Sequence, residues 1–210
     1  ADRFVLKVNG KQSHGSKPWT GVDPILTSSL IIQGFQSIIS RQTDLTKEAA
    51  VISVGLMRSG IRNNIIPEQA ELIGTIRTLD TEMQRIIHEK MRLTAEKIAE
   101  SQGATADLEI IKGYPVTYND PELTIQAVEW LKNAAGKENV KTRTASTGAE
   151  DFSYFAMEVP GFYFFLGGCP EEWDPETSPP HHTPDFFVTD EALLLGMKAL
   201  INCTLGYMYN

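Results

Sequence analysis

The run Ile65-Ile-Pro-Glu-Gln-Ala-Glu-Leu-Ile-Gly-Thr-Ile-Arg77, followed by Asp80-Thr-Glu-Met-Gln84, decides how the first half of the chain folds. The first part predicts one β-strand, with Pro67 near its start, where a missing backbone N–H is tolerated. The second part predicts the start of a helix, because its glutamine would close a capping box. Apolar residues continue at helical spacing to Gly103, a usual helix stop. The stretch therefore predicts a strand followed by a long helix.

The segments on either side complete a recognisable order of elements. Asp23-Pro24 reads as an N-cap followed by a proline at the first helical position. The remaining patterns predict a strand over 3–8, a helix from 23 to about 40, and strands over 49–57 and 106–111. The resulting order β-α-β-β-α-β is that of a ferredoxin-like domain, an antiparallel sheet with two helices on one face. We therefore predict a ferredoxin-like domain over residues 1–112, within an α/β (α+β) fold class.

Residues 113–210 alternate helices and strands, unlike the first part. The patterns predict a helix after Asp120, a short strand over 140–145, a short helix after Gly148, a strand over 162–166 and a last helix over 192–205. The aromatic strand should be buried on both faces, as in a parallel sheet. The last helix is apolar nearly all round, so we expect it to be capped at 189–191 and mostly buried.

Composition and charge exclude several classes of protein. Nineteen basic and 27 acidic residues give a net charge of −8, which argues against nucleic-acid binding. No transmembrane span, signal peptide or cysteine framework is visible, so we expect no membrane partner and a cytoplasmic location. The chain opens almost directly into a strand, which suggests a fragment.

The four histidines are the residues to test for chemistry. His181 and His182 lie in a loop stiffened by prolines, which suits either a metal ligand or a solvated surface loop. His14 lies in a Gly- and Ser-rich loop, and His88 reads as an ordinary helix residue. Zinc sites need about four ligands, so these residues alone do not make a catalytic metal centre.

Several short motifs, taken in their order along the chain, together resemble one protein family. They are Ser13-His-Gly-Ser-Lys-Pro-Trp-Thr-Gly-Val-Asp-Pro-Ile25, Asn64-Ile-Ile-Pro67, Gly74-Thr-Ile-Arg77, Gly148-Ala-Glu-Asp-Phe152, Pro160-Gly-Phe162 and His181-His-Thr-Pro184. The set resembles the amidohydrolase branch of the aminoacylase and hippurate hydrolase di-metal peptidases, which includes the plant auxin-conjugate hydrolases.

The resemblance implies that two parts of the chain belong to domains with different roles. Residues 1–112 would form the lid and dimerisation domain, and 113–210 the C-terminal part of the catalytic domain. The family's N-terminal segment, which supplies most metal ligands and the general base, has no counterpart here, so we expect this chain alone to be inactive. The intact homodimer would use two divalent metals, zinc or else manganese, nickel or cobalt, to hydrolyse N-acyl amino acids.

Each residue role follows from its place in a matching motif. His182 would be a metal ligand, with His181 the weaker candidate. Arg77 would grip the substrate carboxylate and Asn64 would hydrogen-bond the substrate. Glu150 would line the substrate site, although Glu150 and Asp151 also suit a helix N-terminus. His14, carried on a loop able to project away from its own domain, would reach the other subunit's site and stabilise the oxyanion.

Two alternatives remain open. The intact protein could be a dipeptidase or carboxypeptidase of the same family. It could also be a non-catalytic dimerisation or small-molecule-binding module, since ferredoxin-like domains serve many roles.

Overall fold

The computed structural model of the protein describes residues 1–209. The chain divides into two compact units. The first unit comprises Ala1–Val116 together with Ser146–Asp151, and the second comprises Thr117–Ala145 and the residues from Phe152 onward.

The first unit is built around a four-stranded antiparallel sheet. Its elements are β1 Asp2–Asn9, β2 Ser13–His14, α1 Pro24–Gln42, β3 Ala50–Ser59, β4 Ile65–Ile66, β5 Gln69–Thr78, α2 Thr81–Ser101 and β6 Thr105–Lys112. The strand order is β3-β5-β1-β6, and β2 and β4 form a separate two-stranded sheet. The predicted fold class is confirmed, with a sheet in β-α-β-β-α-β order.

One face of the four-stranded sheet carries the core of this unit. Alternate residues of β1, including Phe4, are completely buried against the inner faces of α1 and α2. The rings of Phe4 and Phe35 meet edge to face, with centroids 5.8 Å apart. At Gly34 the two helices approach so closely that a Cβ would lie 2.6 Å from Thr94 Cγ2. The unit therefore has a contiguous, close-packed apolar core.

The single strand predicted over 65–77 is wrong, because the chain makes two strands there. Pro67 separates β4 from β5 and has no N–H to continue a ladder. The carbonyl of Glu68 accepts a hydrogen bond of 2.8 Å from Gly10 N, outside either ladder. The break lets β4 pair with β2 while β5 pairs with β1 and β3.

The predicted helix starts are confirmed, but the capping box is not formed. The Asp23 carboxylate accepts from the N–H groups of Ile25 and Leu26, and the Asp80 carboxylate accepts from Met83 N at 2.6 Å. Gln84 does not return to the helix start; its amide donates to the Asp2 carboxylate at 2.8 Å. A buried carboxylate needs hydrogen-bond donors, and that need outweighs the local cap.

The second unit contains helices joined by segments without regular secondary structure. Its helices are α3 Pro121–Ala135, α4 Phe152–Glu158 and α5 Asp190–Met208, and no strand occurs among its residues up to 209. The strands predicted over 140–145 and 162–166 are therefore wrong. Tyr163 hydrogen-bonds through its N–H and C=O to the side chain of Asn119, each bond 2.8 Å long. The Asn119 side chain thus engages the backbone groups of Tyr163 that a neighbouring strand would engage in a ladder.

The predicted burial of the last helix is also wrong. Within the described part of α5 only Ala192 and Ala199 are buried, while Leu193 and Leu200 are each 60% exposed. Its N-cap residue Thr189 makes no side-chain cap hydrogen bond. Apolar composition shows that a helix can be covered, but not which neighbours cover it. None of the helices in residues 1–209 has the length and apolar character needed to cross a lipid bilayer.

Candidate functional site

Two of the predicted site residues, His14 and Asn64, are neighbours in the structure. The short sheet of β2 and β4 pairs His14 with Ile65, the residue after Asn64. Gly15 N donates to Asn64 O at 2.8 Å, so the two segments are joined directly at these positions. Both His14 and Asn64 are solvent-exposed. The sheet thus presents an imidazole and a carboxamide on adjacent backbone segments.

The loop that carries His14 is tied down along its length. Gly10 bonds to Glu68, Lys11 and Val22 form an antiparallel bridge, and Lys17 N donates to His14 O at 2.8 Å. These bonds hold the loop against its own unit, whereas the sequence suggested a loop able to project away from it.

The ring of His14 is held by the residue two positions later. Its Nδ1 lies 3.0 Å from Ser16 N and 2.8 Å from Ser16 Oγ. No hydrogen-bond partner for its Nε2 occurs among residues 1–209. The exposed imidazole is therefore fixed at one nitrogen and open at the other.

Arg77 lies at the other end of the main sheet. It falls between the buried residues Ile76 and Thr78, so its side chain leaves the sheet on the face opposite the core. Its guanidinium makes only long contacts, 3.5 Å to Asp2 O and 3.4 Å to Ile76 O, and has no carboxylate partner within the described residues. Strand β5 begins at Gln69, shortly after β4 in sequence, and Arg77 is eight residues further along β5. The distance along the strand from Gln69 to Arg77 is therefore roughly 26 Å at the usual rise per residue.

His182, the predicted metal ligand, has an unusual backbone conformation. Its φ is +66°, and it is the only non-glycine residue with positive φ in the described part of the chain. Such conformations cost of order 1–3 kcal/mol and cluster at functional sites. The adjacent His181 instead packs its ring edge to face against Phe186, with centroids 4.6 Å apart. Both histidines are exposed.

Glu150 lies in the segment Ser146–Asp151, which belongs to the first unit, and it is partly buried. Asp151 is exposed and directly precedes α4. Across residues 1–209, no three His, Cys, Asp or Glu residues come together as a group that could hold a metal ion. A metal at His182 would therefore need ligands beyond those that the described residues gather.

Sequence reasoning missed a buried polar cluster around Asp2. The Asp2 side chain is 1% exposed and its carboxylate accepts hydrogen bonds from His88 Nε2 at 2.8 Å, Gln84 Nε2 at 2.8 Å and Gly113 N at 3.1 Å. His88, interpreted as an ordinary helix residue, is itself buried. A signal was present, because Asp2 occupies an inward position in the alternation that continues at Phe4.

This cluster changes the acidity of the Asp2 carboxyl. Burial alone would raise the pKa of Asp2, since it penalises the charged form. The hydrogen bonds from His88 and Gly113 stabilise the carboxylate and outweigh that effect, so the pKa of Asp2 lies below its usual value. The cluster joins β1, α2 and the chain leaving β6, which gives it a structural role in the first unit.

Comparison with known proteins matches this chain to one protein family. The model of peptidase family M20/M25/M40 matches residues 9–205. Thermostable carboxypeptidase 2 of Saccharolobus solfataricus is 37% identical over 199 residues, covering 94% of this chain and 49% of the relative. N-acetylcysteine deacetylase of Bacillus subtilis is 35% identical over 200 residues, with the same two coverages of 94% and 49%.

A solved structure gives a similar result. The YxeP protein of Bacillus subtilis, described as a dinuclear metal-binding peptidase of the M20 family, superposes with a TM-score of 0.71 at 30% identity. The match covers 97% of this chain and 49% of that protein. The chain thus spans about half the length of the curated relatives it matches.

Proposed function

The chain belongs to peptidase family M20/M25/M40, and we propose that it is part of a metal-dependent amidohydrolase that cleaves the amide bond of N-acyl amino acids. The observation that carries the proposal is the pair of exposed polar residues, His14 and Asn64, on backbone segments that hydrogen bonds join. An imidazole and a carboxamide can both hydrogen-bond an amide group. The deacetylase relative supports an N-acyl substrate.

In this proposal His182 supplies one metal ligand. Its imidazole is exposed, and its positive φ is a strained conformation of the kind found at functional sites. His181 is the weaker candidate because its ring packs on Phe186. The chemistry that a divalent metal such as zinc, manganese, nickel or cobalt supplies when bound is polarisation of a carbonyl and acidification of water.

The substrate carboxylate would bind at Arg77. Its guanidinium has no carboxylate partner within the described residues, so its hydrogen-bonding groups are available to an anionic ligand. Asn64 would hydrogen-bond the substrate and Glu150 would line the same site. His14 would donate a hydrogen bond to the carbonyl oxygen as negative charge develops there.

The separation between Arg77 and the His14 end of the first unit favours an active site shared between two subunits. Arg77 lies eight residues along β5 from the end beside β4, and roughly 26 Å of strand is more than one small amino-acid derivative spans. We therefore propose a two-fold homodimer in which His14 acts on substrate held by the other subunit. The outer strands β3 and β6 leave sheet edges that could form the interface.

Mixed dimers of the intact protein test this arrangement. His14→Ala and His182→Ala should each be inactive alone, with no change in fold. Mixing them should restore about a quarter of wild-type activity, because half of the dimers are mixed and one of their two sites is complete. Dimers that form, as shown by two affinity tags, but recover no activity would show that His14 does not act across the interface.

Arg77→Ala tests the carboxylate site in the same intact protein. We expect weaker binding of substrates with a free carboxylate, by about 1.5–3 kcal/mol for a lost charged hydrogen bond. Amidated substrates should be nearly insensitive. Arg3→Ala is the matched control, since Arg3 is an exposed arginine on the adjacent strand β1, paired with Thr75. Equal losses for both substrates would assign Arg77 a structural role.

A carboxypeptidase or dipeptidase activity is the second candidate, favoured by the 37% identity to a carboxypeptidase. The same proposed groups would bind a C-terminal carboxylate, with a peptide in place of the acyl group. Comparing kcat/KM for N-acetyl and N-aminoacyl derivatives of one amino acid decides between them. A clear preference for the N-aminoacyl substrates would replace the first proposal.

A further inference from the structure

We propose that Ser16 is a positioning residue that fixes both the tautomer and the orientation of His14. The inference rests on the proposed function of His14. Its evidence is separate, because it comes from the geometry around a single ring nitrogen. Two groups of Ser16 converge on His14 Nδ1, the backbone N–H at 3.0 Å and the hydroxyl oxygen at 2.8 Å.

The two contacts differ in what they indicate about the tautomer of His14. A hydroxyl can donate or accept a hydrogen bond, so its contact with Nδ1 is compatible with either tautomer. A backbone N–H can only donate. Because Ser16 N–H points at Nδ1, that nitrogen must present its lone pair, and a proton there would face another proton. The neutral ring therefore carries its hydrogen on Nε2.

The surrounding backbone holds this arrangement in place. Lys17 N donates to His14 O at 2.8 Å and closes a tight turn, and Ser16 within this turn lies at hydrogen-bond distance from Nδ1. Gly15 N bonds to Asn64 O, and a Cβ on Gly15 would lie only 3.1 Å from that oxygen. The close approach of the two backbones favours glycine at this position. The turn and the neighbouring segment thus constrain the backbone that carries the His14 ring.

The consequence is a defined chemical role for the open edge of the ring. In this tautomer Nε2 bears a hydrogen; it has no hydrogen-bond partner among the described residues, and His14 is an exposed residue. In this state His14 offers an N–H donor and cannot accept a proton at Nε2. It would therefore stabilise a developing oxyanion by hydrogen bonding, with no proton transferred to or from the ring in that step.

The first experiment measures the tautomer directly in this chain, without reference to activity. Nitrogen-15 correlation spectra of the imidazoles, recorded where the rings are neutral, distinguish Nδ1–H from Nε2–H. The His14 signals are identified by their loss in His14→Gln. We expect the Nε2–H form to predominate at His14. Predominance of Nδ1–H would overturn the inference whatever the enzyme does.

The second experiment uses the intact protein and a matched pair of serines. Ser16→Ala should lower kcat about 3- to 10-fold, the loss of one hydrogen bond, with KM nearly unchanged. Ser16→Thr, which keeps the hydroxyl, should restore most of kcat. Ser13→Ala is the control, because Ser13 directly precedes His14 in β2 and its buried hydroxyl has no hydrogen-bond partner among the described residues.

The outcomes separate this inference from the function on which it rests. If His14→Ala is inactive but Ser16→Ala behaves like Ser13→Ala, the orienting role of the Ser16 hydroxyl is refuted, while the backbone N–H contact and the role of His14 stand. If His14→Ala is fully active, the proposed function of His14 fails and the inference fails with it. A loss in Ser16→Ala that appears only in KM would also contradict a positioning role.

Discussion

The two units of this protein use the same rules for starting helices but differ in how much apolar surface they bury. In the first unit, residues such as Phe4, Leu6, Phe35 and Ile38 are completely buried. In the second unit, the buried apolar residues within the described part are Ala127, Leu131, Ala192 and Ala199, while Phe155 is 68% exposed. Good local helix signals therefore do not ensure a core.

The contrast matters for where stability and function reside. Exposed apolar patches and few buried contacts are features of regions that open easily. The first unit holds Arg77 on the well-packed four-stranded sheet, and its β2–β4 ladder and backbone hydrogen bonds hold His14 and Asn64 together. The second unit holds His182 in a loop. We expect the two units to respond very differently to the same kinds of substitution.

The largest effect should come from removing a core ring. Phe35→Ala should destabilise the first unit by about 3–5 kcal/mol, because it leaves a cavity beside Phe4. Phe155→Ala, the same change at an exposed position of α4, should cost far less. Urea unfolding monitored by amide hydrogen exchange in each unit measures both. Similar losses for the two variants would show that the difference in burial does not set stability.

The next effect concerns the buried Asp2 cluster and depends on pH. Asp2→Asn should destabilise the first unit by about 1.5–3 kcal/mol, since charged hydrogen bonds to His88 and Gly113 are lost. The pKa of Asp2 is lowered by folding, so its contribution is present above the unfolded pKa of about 4. That contribution disappears as the pH falls through the lower folded value.

Stability measured from pH 7 down to acid checks the sign of this prediction. The wild-type protein should lose more stability below about pH 4 than Asp2→Asn does. Asp107→Asn is the control, because this carboxylate lies exposed on β6. Parallel acid profiles for the wild type and Asp2→Asn would refute the assigned role of the cluster.

A pair of glycines gives a sharper test of packing. At Gly34, a Cβ would lie 2.6 Å from Thr94 Cγ2, and at Gly206, 2.5 Å from Trp130 Cδ1. Gly34→Ala should cost about 1–3 kcal/mol because its surroundings are close-packed. Gly206→Ala should cost less, because the half-buried Trp130 can shift, whereas the helix gain of about 1 kcal/mol from alanine applies at both positions. Thermal unfolding of both variants compares the units; an equally large cost at Gly206 would indicate a rigid second unit.

The smallest effect is expected on the exposed face of α5. Leu193→Gln and Leu200→Gln should change stability by no more than about 0.5 kcal/mol, because both side chains are largely exposed. They should also reduce the binding of a dye that reports exposed apolar surface. A large loss of stability would show that these leucines are buried in solution.

Local chemistry was read correctly at most helix ends, although the predicted cap at Thr189 and the capping box of Gln84 are not formed. The caps at Asp23, Asp80 and Asp120 and the helix stop at Gly103 depend only on nearby backbone groups, and the structure contains all four. The order of elements in the first unit follows from such signals and from the two-residue alternation of its strands. The family was also evident from short motifs. The residue roles taken from them stay predictions.

The misreadings concern partners that are distant in sequence. The Gln84 side chain does not cap its own helix and hydrogen-bonds to Asp2, more than eighty positions away in sequence. In the aromatic run at 162–166, Tyr163 hydrogen-bonds to the Asn119 side chain and not to a neighbouring strand. The contact between His14 and Asn64 requires β4 to separate from β5 and pair with β2. Periodicity shows which face of an element is apolar, but hydrogen bonding and burial depend on what the rest of the chain brings against that face.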